Sequence, residues 1–188
     1  MIEISPIRQL TRVVIRALAQ NRAVEIDGLG VFYPDPRAGV RFEAALRPQV
    51  FIAYVMEDQP AALYLAEAMQ SAGFHPWMDI KKLLPGQNWP RAIEAAIETS
   101  DFFVPCFSTR SVNKRGGFQA EIRYALDCAR RVPLEEIFIL PIRLDDCRVP
   151  RSIQRELQYI DFFPDWDTGF RRLAAAMRRE IEKRARPQ

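Results

Sequence analysis

Few side chains in this sequence are suited to catalysis, and their types narrow which reactions are open to them. His75 is the single histidine of 188 residues, so a Cys/His zinc centre or a multi-histidine metal site lacks ligands. It is also the one base available to a Ser-His or Cys-His nucleophile pair. Its place in an apolar run reads instead as a strand residue with no catalytic task. Cys106, Cys128 and Cys147 are odd in number and widely spaced, and they read as reduced thiols in a cytoplasm. No glycine-rich loop ends in Gly-Lys-Ser or Gly-Lys-Thr, which removes P-loop chemistry. Gly28-Leu29-Gly30 has no third glycine and no helix pattern after it, so the usual dinucleotide fingerprint is missing as well. Carboxylates, hydroxyls, aromatics and arginines at element ends remain. Glu121, read in the first turn of a predicted helix, can face a cleft. On residue chemistry alone it reads more simply as a glutamate complementing the helix dipole.

These residues need a frame to hold them. The 48% hydrophobic and 27% charged composition is that of a globular chain, long enough to bury a core without staples. No apolar run approaches the ~18 residues of a membrane span, and the start lacks a secretory pattern. A cytoplasmic protein with no membrane partner and no cofactor is expected. The net charge of +3 does not by itself demand nucleic acid.

The sequence changes character near Arg47-Pro48, giving two expected parts, 1–46 and 48–186. In the first, Ile7, Leu10, Val13, Val14, Ala17 and Leu18 follow helical spacing, and Arg8, Arg12 and Arg16 form a basic stripe, read as solvated. Val24–Phe32 alternates apolar residues among glycines, which predicts a bent or bulged strand. Pro34-Asp35-Pro36 predicts a turn, and Val40-Arg41-Phe42 a returning strand.

After Pro48 strand and helix patterns alternate. Strands are predicted at Val50–Tyr54, Phe74–Met78, Asp101–Phe107, Ile137–Leu140 and Tyr159–Asp161. Helices are predicted at Asp58–Ala72, Trp89–Thr99, Phe118–Arg131 and Gly169–Lys183. Pro105 is expected at a strand end where pairing stops. The alternation gives a parallel, doubly wound α/β sheet of five strands with helices on both faces. Ligands of such sheets bind beyond the carboxyl ends of the strands, which directs attention to Val55–Gln59, Asp79–Asn88, Ser108–Gly117 and Arg143–Arg148. The C-terminal segment carries Arg171, Arg172, Arg178, Arg179, Lys183, Arg184 and Arg186 against Glu180 and Glu182, read as a solvated basic face.

Six segments, in order and in register, resemble the Toll/interleukin-1 receptor (TIR) domain in its bacterial form. Phe51-Ile52-Ala53-Tyr54 followed by Glu57-Asp58 is similar to the family's opening strand. Gly73–Asp79 resembles its second strand, and Leu84-Pro85-Gly86-Gln87-Asn88-Trp89 the loop after it. Ile93 to Ser100 with Phe107-Ser108, then Phe118–Ile122, then Leu140–Leu144 with Val149-Pro150 resemble the remaining motifs. The likeness spans 49–179. Ala53 replaces a usual serine, and Phe118 stands where many members carry tryptophan. Separately, Val24–Phe32 resembles the helix-plus-hairpin portion of HU/IHF-type DNA-binding proteins, without their long basic arm. That likeness implies a docking or dimerisation module, with DNA binding the lesser reading.

The TIR resemblance implies a flavodoxin-like fold and, for many members, NAD⁺ glycohydrolase activity in defence or signalling. A non-catalytic scaffold that works through TIR–TIR contact, or one that interferes with a host's TIR signalling, is the alternative. Nicotinamide leaves a pyridinium as a neutral molecule, so no general acid is needed. An oxocarbenium-like ribose does need a carboxylate nearby, and the resemblance assigns that role to Glu121. For substrate binding it implies Tyr54 (pocket wall or core), Asp79 (ligand or its own loop) and Leu84, Pro85 and Gly86 (turn or mobile lid). It further implies Trp89 (core or wall), Ser108 (ribose or turn cap), Phe118 (stacking or packing) and Arg143 (phosphate or solvent). It implies a homo-oligomer, or a heterotypic TIR pair, in which the Asp79–Asn88 loop meets a neighbour head to tail.

Overall fold

The computed structural model describes residues 6–26, 30–44, 47–78, 88–133 and 135–185. The chain divides into two compact units, 1–47 and 48–188.

In the first unit helix α1 (Pro6–Ala19) packs on strands β1 (Val24–Ile26) and β2 (Gly30–Asp35), and β3 (Gly39–Ala44) completes an antiparallel sheet of order β1-β2-β3. The single bent strand expected over Val24–Phe32 is instead two strands, with Ile26 paired to Gly30 and Val24 to Phe32. Gly30, the first residue of β2, takes φ 139°, a conformation that residues with a Cβ avoid. Asp35 closes the next turn by accepting from the backbone N–H groups of Arg37 and Ala38 at 2.7 and 2.8 Å. These two bonds hold its carboxyl below the usual range.

The second unit is a five-stranded parallel sheet, order β5-β4-β6-β7-β8, formed by β4 (Gln49–Ala53), β5 (His75–Trp77), β6 (Phe102–Phe107), β7 (Ile142–Arg143) and β8 (Ile160–Asp161). The order reverses between β4 and β6, which makes their carboxyl ends the topological switch point. The alternation along β4 and β6 divides the core. Val50, Ile52, Phe102, Val104 and Cys106 face Leu65 and Met69 of α2 (Gln59–Ser71) and Leu173 and Met177 of a C-terminal helix. Phe51, Ala53, Phe103 and Phe107 face the other helices. Those are α3 (Trp89–Glu98), α4 (Gly117–Ala129) and α5 (Arg151–Glu156), and the C-terminal helix is α6 (Trp166–Ala185). Phe51 stacks on Trp77 and Phe103, with ring centroids 4.6 and 5.4 Å apart.

Four sequence readings are corrected by this architecture. The regular ladder of the fourth strand lies at Ile142–Arg143, after Pro141; of the predicted Ile137–Leu140, Ile139 alone makes a bridge, to Phe103. Upstream of the proline, Phe103 donates to Phe138 and Leu140 donates to Phe103, and Cys106 pairs with Ile142 in the same register; the bond missing between them is the one that Pro105, lacking an N–H, would have donated toward Leu140. Pro105 does not end its strand: it is the last partner of β4, opposite Ala53, and pairing with β7 begins at the next residue. Helix α5 has only six residues and one buried apolar side chain, Ile153, too few to show a helical period. Helix α6 begins at Trp166, so Gly169 lies inside it.

Gly169 is there because two backbones meet. A Cβ at this position would lie 2.7 Å from the carbonyl oxygen of Asp161 and 2.9 Å from Phe162 Cα. Backbone cannot swing aside as a side chain does, so Gly169→Ala is expected to cost about 2 kcal/mol by forcing β8 and α6 apart. Thermal melting of the variant should show a drop of roughly 4–8 °C. An unchanged melting temperature would mean that the helix slides freely on the strand.

Candidate functional site

Helices α3 and α4 lie side by side on one face of the sheet, and a cleft of ≈ 470 Å³ opens between them. Trp89, Ile93 and Ile97 line it from α3 at i, i+4 and i+8, and Gly117, Glu121 and Tyr124 line it from α4 at i, i+4 and i+7. These spacings each mark one face of a helix. Asn88 caps α3 by accepting from the backbone N–H of Arg91 at 3.3 Å, fixing where Trp89 leaves the helix. Trp89 is 60% exposed, whereas Ile97 is fully buried at the floor.

Helix α4 begins at Gly117, with Gly116 at φ 126° before it. Glu121 is therefore in the second turn, not the first. Its carboxylate curls back toward the start of the helix: Oε1 lies 3.8 Å from where a Cβ on Gly117 would be. That places the carboxylate beside the first turn, where the helix dipole still reaches it, so the dipole reading stands beside the cleft-facing one. Tyr124 donates its hydroxyl to Glu98 Oε1 at 2.6 Å, a bond from α4 to α3 that sets the width of the cleft and pushes the phenol up to about 12. Arg123, Glu94 and Asp127 add charge along the walls.

Residues 50–174 match the TIR domain family. The chain belongs to the TIR domain family. Similar solved structures include the TIR domain of the Toll-related receptor TRR-2 from Hydra magnipapillata, 24% identical with a TM-score of 0.57, covering 69% of this chain and 97% of that one. A metazoan TIR-STING receptor from C. gigas, in complex with 2′,3′-cGAMP, is 19% identical at 0.57, covering 68% of this chain and 38% of that one. A prokaryotic SEFIR domain is 17% identical at 0.55, covering 69% and 98%. Protein y4cD of Sinorhizobium fredii is 23% identical over 153 residues, which is 81% of this chain and 24% of that protein. The chain thus spans about a quarter of that relative's length.

Of the residues that the TIR likeness proposed for a site, the fold brings Glu121 and Trp89 into one cleft. Asp79, Leu84, Pro85 and Gly86 lie outside the described residues. Phe118 points into the core, edge-on to Phe107 with centroids 5.7 Å apart, so it packs and does not stack on a ligand in the cleft. Tyr54 packs against the cluster on the α2 and α6 face, away from α3 and α4. Ser108 and Arg143 are each held elsewhere by polar partners.

Ser108 is buried at the switch point, where its hydroxyl donates to the buried carboxylate of Asp58. Its oxygen accepts the backbone N–H groups of Arg110 and Ser111, both at 3.1 Å. Arg110 Nη1 reaches Asp58 Oδ1 at 3.2 Å and the Glu57 carbonyl at 3.0 Å. Thr109 donates its N–H and hydroxyl to Asp145, at 2.9 and 2.8 Å. The loops after β4, β6 and β7 are thereby tied together. Lys114 meets Glu57 at 2.5 Å beside them and holds that carboxyl below its ordinary range.

Arg143 is not a solvent-facing phosphate ligand. Its guanidinium lies 4.6 Å from the Tyr159 ring centroid and 4.9 Å from that of Phe163. It donates to Asp161 at 2.5 Å and to the Cys147 carbonyl at 2.8 Å. The Asp161 carboxylate holds its pKa above the ordinary arginine value. A lysine has neither the planar face nor the fork for this slot. Arg143→Lys is expected to cost about 1–2 kcal/mol, seen as a lower melting temperature, with ligand affinity in the cleft unchanged. Lost affinity at an unchanged melting temperature would reinstate it as a ligand residue.

The three thiols are buried, and burial raises the pKa of each, Cys147 to about 11. Each therefore stays protonated near neutrality and offers no thiolate nucleophile. The basic stripe of α6 is only partly solvated: Arg178 donates to the Ala72 carbonyl, Lys183 to that of Glu135 and Arg184 to that of Ile137. Among the described residues no helix is long and apolar enough to cross a membrane.

The sequence reading passed over Tyr124 and the tie of Ser108 to Asp58 and Arg110. Tyr124 was within reach, since it stands three residues after Glu121 on the same helix face. The tie was not, because Asp58 lies fifty residues before Ser108.

Proposed function

We propose that this TIR domain hydrolyses NAD⁺ at the bond between nicotinamide and ribose, with Glu121 as the carboxylate that stabilises the developing oxocarbenium ion. What carries the reading is the position of Glu121. On α4 its carboxylate curls back beside Gly117 and lines a cleft walled by Trp89, Ile93 and Ile97, with Glu94, Arg123 and Asp127 along the sides. A carboxylate partly shielded from water in a cleft acts strongly on positive charge that develops beside it. Trp89, 60% exposed at the mouth, offers a flat face to a pyridinium ring. The leaving nicotinamide needs no proton, which suits a cleft lined by no histidine. The substrate is NAD⁺, and no resident cofactor takes part.

The assay that tests this is nicotinamide release from NAD⁺ by concentrated purified protein. Release above the uncatalysed background supports the reading, and none at any protein concentration removes it. The second reading is a TIR module that works by contact alone, in defence or signalling. The same exposed Trp89 favours it, because a half-exposed indole beside apolar side chains also suits a protein partner. Either reading includes self-association through TIR–TIR contacts. Under the enzymatic one, specific activity rises with protein concentration.

A further inference from the structure

We propose that the first unit joins two copies of this chain by pairing strand β3 with β3 of the second copy, antiparallel about a two-fold axis through Phe42. The observation that raises the question is an incomplete core. Among the residues of the first unit whose burial is described, only Gly30 is buried. A unit of 47 residues is near the size at which a chain stops burying enough apolar surface by itself.

The sheet has one apolar face. The register sets Val24, Phe32 and Phe42 opposite one another, with Pro34 opposite Val40, so these residues share a face. Phe32 and Phe42 already touch, with centroids 4.6 Å apart. Yet Val40 is 45% and Phe42 46% exposed. Both stand on β3, an edge strand with no neighbour on its outer side among the described residues. It is six residues long and carries no lysine, proline or bulge of the kind that blunts exposed edges.

The sequence of β3 says what covers it. Gly39-Val40-Arg41-Phe42-Glu43-Ala44 is antisymmetric in charge about Phe42. Side chains directly opposite in an antiparallel pair share a face, so self-pairing must be centred on a residue for its apolar side to stay together. Centred on Arg41 it would set arginine against arginine, and centred on Glu43 glutamate against glutamate. Centred on Phe42 it sets each Arg41 opposite Glu43 of the second copy, Val40 opposite Ala44, and Phe42 opposite Phe42. Opposite charges across a pair stabilise and like charges destabilise, so charge selects this register. The result is a six-stranded sheet with a row of four rings, Phe32-Phe42-Phe42-Phe32, and a closed two-fold contact. Arg41 rests over the Tyr33 ring at 4.5 Å, on the opposite face from the phenylalanines, so its charge is already held beside the edge. Pairing would give two second units a shared tether and a high effective concentration for any contact between them. The inference does not depend on the enzymatic reading.

Sedimentation equilibrium of the full chain tests it with charge exchange. Wild type is expected to dimerise. Arg41→Glu and Glu43→Arg each put like charges opposite one another at two places, so each should weaken the dimer by about tenfold or more. Glu43→Arg keeps the Arg41–Tyr33 contact, which separates lost pairing from lost stability. An equimolar mixture of the two variants restores both opposite-charge pairs and is expected to form heterodimers as readily as wild type forms homodimers. The double exchange Arg41→Glu with Glu43→Arg should likewise restore a homodimer. A monomeric wild type, single variants that dimerise like wild type, or a mixture no tighter than its components would each overturn the proposal.

Discussion

Replacing Glu121 by glutamine is expected to lower nicotinamide release by about 10³-fold or more while the melting curve stays in place. The exchange keeps the shape of the side chain and removes its charge. Glu121 is half-buried on the cleft face of α4, not in the core, so the stability change should stay within about 0.5 kcal/mol. Loss of charge that acts only once the ribose becomes cationic lowers kcat and kcat/KM together and leaves KM nearly unchanged. Glu121→Asp keeps the charge but withdraws it by one methylene. It should retain part of the activity, because an oxyanion about 1 Å out of place loses on the order of 10²-fold. Measured kcat and KM for the three proteins, with circular dichroism melts beside them, decide the matter. A glutamine variant as active as wild type would remove Glu121 from the chemistry and leave the contact reading.

The second large effect is on stability. Asp58→Ala is expected to destabilise the second unit by about 2–3 kcal/mol, or roughly 4–12 °C in melting temperature. The carboxylate is 4% exposed and accepts from both Ser108 and Arg110. Its removal leaves the Ser108 hydroxyl buried without its acceptor and unties the loop after β4 from the loop after β6. Arg110 is itself 63% exposed, so its side of the loss is softened by water, which keeps the total below that of a fully buried pair. Asp58→Asn keeps an acceptor for the hydroxyl and should cost about half as much. A double-mutant cycle with Ser108→Ala should show coupling of about 1 kcal/mol or more. Additive effects of the two substitutions would return Ser108 to the ligand-binding role that the family resemblance implied.

The order of strands and helices after Pro48 was legible in the sequence because each element buries a different pattern. The strand β6, buried on both faces, reads as an unbroken apolar run, and α3 and α4 show apolar residues at helical spacing. Periodicity of this kind is local, so a linear sequence carries it in full. The fold class follows from it, and the family from the six segments that resemble the TIR domain. What misled was proline. Pro141 reads as a stop, yet the chain passes through it in register, because Pro141 faces β8, where its carbonyl accepts from Ile160, and its missing N–H takes nothing from the pairing with β6.

The site divides along the same line. Glu121 was singled out from the sequence by a motif within one helix, and its companions on that face follow from the 3.6-residue repeat. Which turn it occupies depended on where α4 begins, and the reversal at Gly116 and Gly117 set that boundary one residue earlier. Tertiary structure alone decided the fate of the others. Ser108 is claimed by Asp58, and Arg143 by Asp161, Tyr159 and Phe163. A hydroxyl or a guanidinium takes whichever partner the fold brings within 3 Å, and that choice depends on strand order, not on neighbours in sequence. The sequence by itself determined that this is a TIR domain with one well-placed carboxylate. The tertiary structure decided that, of the described residues proposed beside it, Trp89 shares its cleft, while Tyr54 and Phe118 pack and Ser108 and Arg143 bond elsewhere.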